Sequence, residues 1–277
     1  MDLRIDRLTP DHVDAATRLS TSVGWNQTPA DWRRLLDLYP ATCFGGWVDD
    51  SLVATSTLAT YDDRVGWVGM VLVDEQFRSR GFGSAIFEAA LDAGRTAGLE
   101  TIGLDATDAG RNIYDGYGFE TLGGIDRWRG APAATPSANV HEFAETSEVA
   151  SFDEARCGVD RTPLLAHLLD SPDTVGLRHT DEGETDGYLV VRPGRTCAQV
   201  GPVVADSAAV LGDLLGAVGA RIDAPVFLDA LRAEWIADVL RSAGLDCRRR
   251  LYRMTHEGRT PALYGDGVVA ATGFEWG

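Results

Sequence analysis

The seven residues VGMVLVD at 68–74 return as VGPVVAD at 200–206, with Val, Gly, Val and Asp in the same places. Two further echoes keep the same order: LDA at 104–106 recurs at 228–230, and Gly118-Phe119 meets Gly244-Leu245. The offsets are 132, 124 and 126 residues. Matches that stay in order at a nearly constant offset indicate an internal duplication, so the chain is expected to build one fold twice. The duplication also supplies a control. What both halves hold reads as scaffold, and what one half alone holds reads as chemistry.

The local patterns say which fold is repeated. Leu3, Ile5 and Leu8 give a first strand, and TPDHVDAATRLS a helix capped by Thr9 and opened by Pro10. TPADWRRLLDLYP reads as a second helix stopped by Pro40. Three strands at hairpin spacing follow, TCFGGWVDD, SLVATSTLAT and VGWVGMVLVD. A glycine-rich turn then leads into a helix, a strand TIGLDA, a short helix around GRNIYDGYG and a last strand near FETLGGI. The class is α/β of the α+β type, a mixed and mostly antiparallel sheet flanked by helices. RGAPAATPSAN, rich in Ala, Pro and Ser, reads as a connection. The expected units are therefore residues 1–128, a linker at 129–139, and a second unit at 140–277.

Composition narrows the setting. A chain of 277 residues with 44% apolar content can bury two ordinary cores. The charged start MDLRIDRL, and a longest apolar run of nine residues from Val65 to Val73 that contains two glycines, lead us to expect neither a leader nor a membrane span. Cys43, Cys157, Cys197 and Cys247 are scattered, with no CxxC pair and no histidine cluster nearby, so no metal site and no disulfide framework is expected. The thiols read as reduced in a cytoplasmic protein.

The net charge is −17, from 42 acidic and 25 basic residues, every basic one an arginine. Self-repulsion of this size is relieved in molar salt, where the Debye length is roughly 3 Å; a halophilic cytoplasm would account for both the acidity and the missing lysine, with a GC-rich genome the alternative for the lysine alone. Binding to nucleic acid or to an anionic membrane is not expected of such a surface. Two like-charged halves are also expected to melt separately in low salt, with the second failing first.

One segment belongs to the first half alone. VDEQFRSRGFGSAIFEAAL, residues 73–91, ends an apolar strand, sets two arginines and two glycines in six residues, and opens an amphipathic helix. After Asp206 the chain reads SAAVLGDLL instead. Gly81 and Gly83 free the backbone to turn successive N–H groups inward as an anion nest. Those groups merge with the unpaired amides at the start of the helix near Ser84, and Arg78 and Arg80 add charge beside them, which together suit a diphosphate. A Walker loop would need lysine, and the GxGxxG fingerprint would need glycine where Ile86 stands.

The pattern Arg-x-x-Gly-x-Gly, after V-x-V-D and before a helix, with Tyr-x-x-x-Gly-Phe downstream, resembles the acetyl-CoA loop of the GCN5-related N-acetyltransferases, the GNAT superfamily. DRTPLL, GYLVVRPG, VGPVVAD and YRM in the second half are similar to the two-part members whose second domain is a degenerate copy. The resemblance implies a GNAT fold followed by a second GNAT-like domain, and transfer of an acetyl group from acetyl-CoA, with no metal, to a primary amine. The strand residues Val71, Leu72 and Val73 would pair with the pantetheine arm, and Ser79, Arg80, Gly81, Phe82, Gly83 and Ser84 would hold the pyrophosphate with Arg78 at its flank. Thr107 would stand where many members have an asparagine that orients the cofactor. Tyr114 would protonate the departing thiolate, and its counterpart in the degenerate half is Leu240. Trp25 and Trp32 would wall the acceptor site, with the alternative that they are buried core tryptophans.

The general base is not decided by the residues. Asp62, Asp63, Glu75 and Asp108 are candidates, each with the alternative of a solvated carboxylate, whereas Asp105 is matched by Asp229 and reads as structural. The acceptor is expected to be a small-molecule amine. A protein or peptide amine is the alternative within the same chemistry, and a non-catalytic acyl-CoA sensor the alternative outside it. A homodimer is left open.

Overall fold

The computed structural model describes residues 2–260 and 262–277. The first half runs β1 (Arg4–Arg7), α1 (Val13–Ser22), α2 (Pro29–Leu38), β2 (Cys43–Val48), β3 (Ser51–Tyr61), β4 (Val65–Val73), α3 (Phe82–Thr96), β5 (Thr101–Ala106), α4 (Asp108–Asp115) and β6 (Phe119–Gly130). The second half repeats that order as β7 (Val140–Phe143), α5 (Ala150–Cys157), α6 (Thr162–Leu169), β8 (Val175–Asp181), β9 (Glu184–Arg192), β10 (Ala198–Ala205), α7 (Ala208–Arg221), β11 (Val226–Leu231), α8 (Glu234–Ser242) and β12 (Leu245–His256), and adds β13 (Val268–Ala270). The duplication read from three short echoes therefore extends to every element.

Local chemistry sets the helix starts. Thr28 and Asp31 cap α2 reciprocally, Asp31 Oδ2 accepting the Thr28 N–H at 2.8 Å and Thr28 Oγ1 accepting the Asp31 N–H at 3.3 Å, with Pro29 in the first turn. The first helix begins later than Pro10. Residues Pro10–His12 form a 3₁₀ turn in which His12 Nδ1 accepts the Thr9 N–H at 3.0 Å, and α1 starts at Val13. Residues 129 and 130, expected in the linker, are paired strand, because β6 continues to Gly130. The remaining 131–139 carry no helix or strand, yet they are packed: Ala133 and Thr135 donate backbone N–H groups to Ala243 and Gly216, and Ser137 Oγ donates to Asp213 at 2.6 Å.

The two halves share one sheet of 13 strands in the order β1-β2-β3-β4-β5-β12-β6-β11-β13-β10-β9-β8-β7. Each half gives its last long strand to the other. β12 of the second half lies beside β5 of the first, and β6 of the first lies beside β11 of the second, while β6 and β12 pair with each other from Phe119↔His256 to Gly130↔Leu245. The core follows the exchange. One apolar cluster joins Trp32 and Leu35 of α2 and Trp67 of β4 to Leu164, Leu165 and Leu168 of α6, with Tyr188 and Trp276. Met254 of β12 packs in the cluster beneath α3 with Phe87 and Leu91. Separate melting of the halves does not suit this arrangement, because neither half has a complete sheet without a strand of the other.

Candidate active site

β4 and β5 run parallel and paired from Val65↔Thr101 to Val68↔Leu104, then part. A bulge sits at the parting. Thr57 pairs with Gly69 and Thr55 with Leu72, so three steps along β4 answer two along β3, and Met70 takes φ 50°. A bulge of this kind bends the strand that carries it. The gap opens into a cavity of about 470 Å³ lined on one side by Val71, Leu72 and Val73 and on the other by Thr107 and Tyr114.

The second half has the same parting and a different outcome. β10 and β11 pair only from Ala198↔Val226 to Val200↔Leu228, and the gap beyond them is filled by β13, whose Ala270 pairs with both Val203 and Ala230. The chain then crosses to the first half. Ala271 O lies where a Cβ on Gly201 would stand, and Glu275 Cα lies 2.7 Å from where a Cβ on Gly69 would stand. The two glycines matched by the duplication are thus both places where segment 268–277 passes close against the sheet. Trp276 is fully buried, and its carbonyl accepts the Tyr61 hydroxyl at 2.6 Å.

One end of the cavity is formed by the start of α3. Gly81 is left-handed at φ 81° and Ser79 lies at φ 60°, so the turn is made by these two residues. Gly83 was expected to share that role, but it is already in the helix. What Gly83 provides is space: an added Cβ would meet only Val73 Cγ2, at 3.7 Å. Among the described residues no side chain caps α3, whereas α7, its counterpart, is capped by Ser207 Oγ accepting the Val210 N–H at 3.3 Å. The first-half helix start could therefore hold an anion with amides that the second half satisfies internally. Arg78, Ser79 and Gly83 line the cavity, and Arg78 Nε donates to Val73 O at 3.2 Å. Gly81, Phe82 and Ser84 do not line the cavity. Arg80 also does not line the cavity; it donates to Gln76 O at 3.1 Å and lies over the Phe77 ring.

Tyr114 projects from α4 onto Phe87, with ring centroids 4.8 Å apart, and Gly110 one turn earlier leaves room for it. Burial pushes its phenol up to about 12, so it holds its proton at neutral pH. Thr107 lines the cavity, but its hydroxyl oxygen accepts the Gly110 N–H at 3.1 Å and caps α4. Trp25 lines the cavity as expected for an acceptor wall. Trp32 does not. It shares the buried face of α2 with Leu35 and Leu36, and its Nε1 donates to Ser20 Oγ at 3.2 Å.

None of Asp62, Asp63, Glu75 and Asp108 lines the cavity; Asp62 accepts the Asp160 N–H at 3.1 Å in a surface turn. The two carboxylates that do are Asp105 and Glu275. Asp105 is held by Arg253 through two hydrogen bonds of 2.8 Å, which supports its reading as structural. Glu275, 2% exposed, was not singled out in the sequence. The available signal was the control itself, since the stretch beyond β12 has no counterpart after β6. Burial raises the Glu275 carboxyl to about 6, with Asp31 adding to the shift and Arg192 opposing it.

The second half also fixes the loop between α1 and α2. Asn26 accepts the N–H groups of Thr196 and Cys197 and donates to Cys197 O at 3.0 Å, while Arg195 Nε donates to Trp25 O at 2.7 Å. Arg192 of β9 ties the same region to segment 268–277, donating to Asp31 at 3.2 Å and to Thr272 O at 2.8 Å.

Comparison with known proteins agrees with this geometry. Residues 11–119 match the family described as Acetyltransferase (GNAT) family, and residues 149–266 match Acetyltransferase (GNAT) domain. The chain is a tandem member of the GNAT superfamily, an acyltransferase of the N-acetyltransferase type, and the family implies an acyl-CoA co-substrate. It is 24% identical over 231 residues to YitH of Bacillus subtilis, an uncharacterized N-acetyltransferase, covering 80% of each chain. It is 23% identical over 205 residues to the holothin acyltransferase of a Pseudoalteromonas species, covering 72% of this chain and 68% of that one. A crystal structure from Pyrococcus horikoshii superposes with a TM-score of 0.87 at 19% identity, over 99% of this chain and 96% of that one, which establishes the fold.

Proposed function

We propose that the protein transfers an acetyl group from acetyl-CoA to the primary amine of a small molecule by direct attack in a ternary complex, with acetyl-CoA held by the first half alone. The observation that carries this reading is the difference between two equivalent gaps. The β4/β5 gap is open and meets an uncapped helix start, whereas the β10/β11 gap holds β13. In this reading Val71 and Val73 offer strand-like backbone groups to the pantetheine arm, and the turn from Arg78 to Ser84 receives the diphosphate. Tyr114 gives its proton to the leaving sulfur.

A small acceptor is favoured because the far side of the cavity is bounded by Trp25, Gln27, Phe274 and Glu275, from two segments pinned by hydrogen bonds. The test is thiol release from acetyl-CoA with a panel of amines, repeated for Tyr114→Phe. The variant should lose about 10²- to 10⁴-fold in turnover while keeping its affinity for acetyl-CoA. Full activity in Tyr114→Phe would remove the general-acid role, and binding without thiol release from any amine or peptide would favour a sensor.

A further inference from the structure

The acceptor side of the cavity carries polar groups that acetyl-CoA does not account for. Gln27 Nε2 donates to Glu275 Oε2 at 2.8 Å. That bond fixes the amide, because the flipped orientation would set an oxygen against a carboxylate. Gln27 Oε1 is then left buried without a donor, in a residue only 8% exposed. The other Glu275 oxygen has Arg192 Nη2 at 3.4 Å, a long contact for a guanidinium that donates from Nη1 to Thr272 O at 2.8 Å. A carboxylate and an amide oxygen side by side, both short of donors, match an ammonium group with its three N–H bonds.

A second wall carries the opposite charge. The exchanged strands bring Arg127 of β6 and Arg249 of β12 to the same cavity, directly opposite each other in register. Arg127 is held by Asp229 through two hydrogen bonds of 2.7 Å. The Arg249 guanidinium makes no hydrogen bond or ion pair among the described residues, in a chain whose acidic residues outnumber its basic ones 42 to 25. The residue stays open to solvent; desolvation of part of its side chain and the neighbouring Arg127 disfavour its charge, Asp229 favours it, and an anion from outside would add to the favourable side.

We propose that the acceptor is a small molecule carrying both a primary amine and an anionic group, with Gln27 and Glu275 receiving the ammonium and Arg249 the anion. This rests on the acyl-transfer reading of the same cavity. The acceptor enters as –NH₃⁺ and one proton passes to the Glu275 carboxylate. The freed lone pair bonds to the thioester carbon, and the C–S bond breaks with its electron pair going to sulfur, which takes the Tyr114 proton. The second proton lost by nitrogen returns to the Tyr114 oxygen through solvent. The products are the amide, the free thiol and one proton on Glu275.

The experiment uses the full chain, acetyl-CoA, and matched amines with and without an anion: β-alanine against β-alaninamide, and phosphoethanolamine against ethanolamine. Thiol release is measured for the wild type, Arg249→Gln and Gln27→Leu, and calorimetry with acetyl-CoA reports on each variant whether the fold and the cofactor site persist. The anionic partner of at least one pair should exceed its neutral partner by about tenfold or more in kcat/KM, as expected for a charge-assisted contact. Arg249→Gln should abolish that preference mainly through KM, and Gln27→Leu should raise KM for both partners. Equal use of both partners by the wild type, or a preference that survives Arg249→Gln, overturns the inference and leaves acyl transfer standing. No release from the panel while acetyl-CoA still binds also overturns the inference alone. Absence of acetyl-CoA binding overturns the reading beneath it.

Discussion

Arg253 and Asp105 stand opposite each other on β12 and β5 and share two hydrogen bonds of 2.8 Å, and Arg127 and Asp229 repeat the arrangement at 2.7 Å on β6 and β11. Each pair joins a strand to the neighbour it gained by exchange. Both aspartate side chains are completely buried, so the pairs sit where the strand order is least like that of two separate domains.

Removing one partner of a buried pair leaves an uncompensated charge, which costs about 3–5 kcal/mol. Arg253→Met should lower stability by that order, and Arg253→Met with Asp105→Asn should recover part of the loss. Because the exchange makes each sheet depend on the other half, heating should give a single transition, coincident by circular dichroism and tryptophan fluorescence. With a net charge of −17, that transition should move up in molar salt. Two separated transitions, one of them raised by acetyl-CoA, would contradict the coupling.

Gly69 is the place where Glu275 passes against the sheet. An added Cβ would lie 2.7 Å from Glu275 Cα, so backbone must move, at a cost of about 1–3 kcal/mol. Gly69→Ala should therefore weaken use of the acceptor more than binding of acetyl-CoA. Steady-state KM values for the two substrates, measured separately, check this, and a change confined to acetyl-CoA would contradict it.

Burial holds the Glu275 carboxyl at about 6 against an ordinary value of 4.5. An acid whose pKa is raised by folding binds its proton more tightly in the folded chain. Between those two values its contribution to stability falls as pH rises, the reverse of a salt-bridged carboxylate. Catalysis goes the other way, because Glu275 must lose its proton to accept one from the amine. A plot of kcat/KM against pH should rise through about 6, and Glu275→Gln should lose that limb. An unchanged limb in the variant would assign it to another group.

Much of this was readable in the chain. The echo of VGMVLVD in VGPVVAD gave the repeated fold, and the stretch from Arg78 to Gly83, absent from the second half, marked the cavity end that the structure forms. The strand exchange was not readable, because β6 and β12 carry the same kind of alternating pattern and nothing local names a strand's neighbour. Glu275 stayed hidden for a related reason: its hydrogen-bond partner Gln27 lies 248 residues away. Trp32 stood open between core and binding wall because an aromatic side chain serves both equally well. The helical phase shared with Leu35 and Leu36 decides between them.

The most direct test of a single open cleft is the stoichiometry of acetyl-CoA binding. Titration calorimetry on the full chain should give one equivalent, bound by the first half alone. Gly83→Trp should abolish it without unfolding the chain, since a Cβ there meets only Val73 Cγ2 at 3.7 Å and the larger ring would fill the cavity. Two equivalents, or one that survives Gly83→Trp with unchanged affinity, would contradict the assignment of the open gap as the site and of β13 as the occupant of its counterpart.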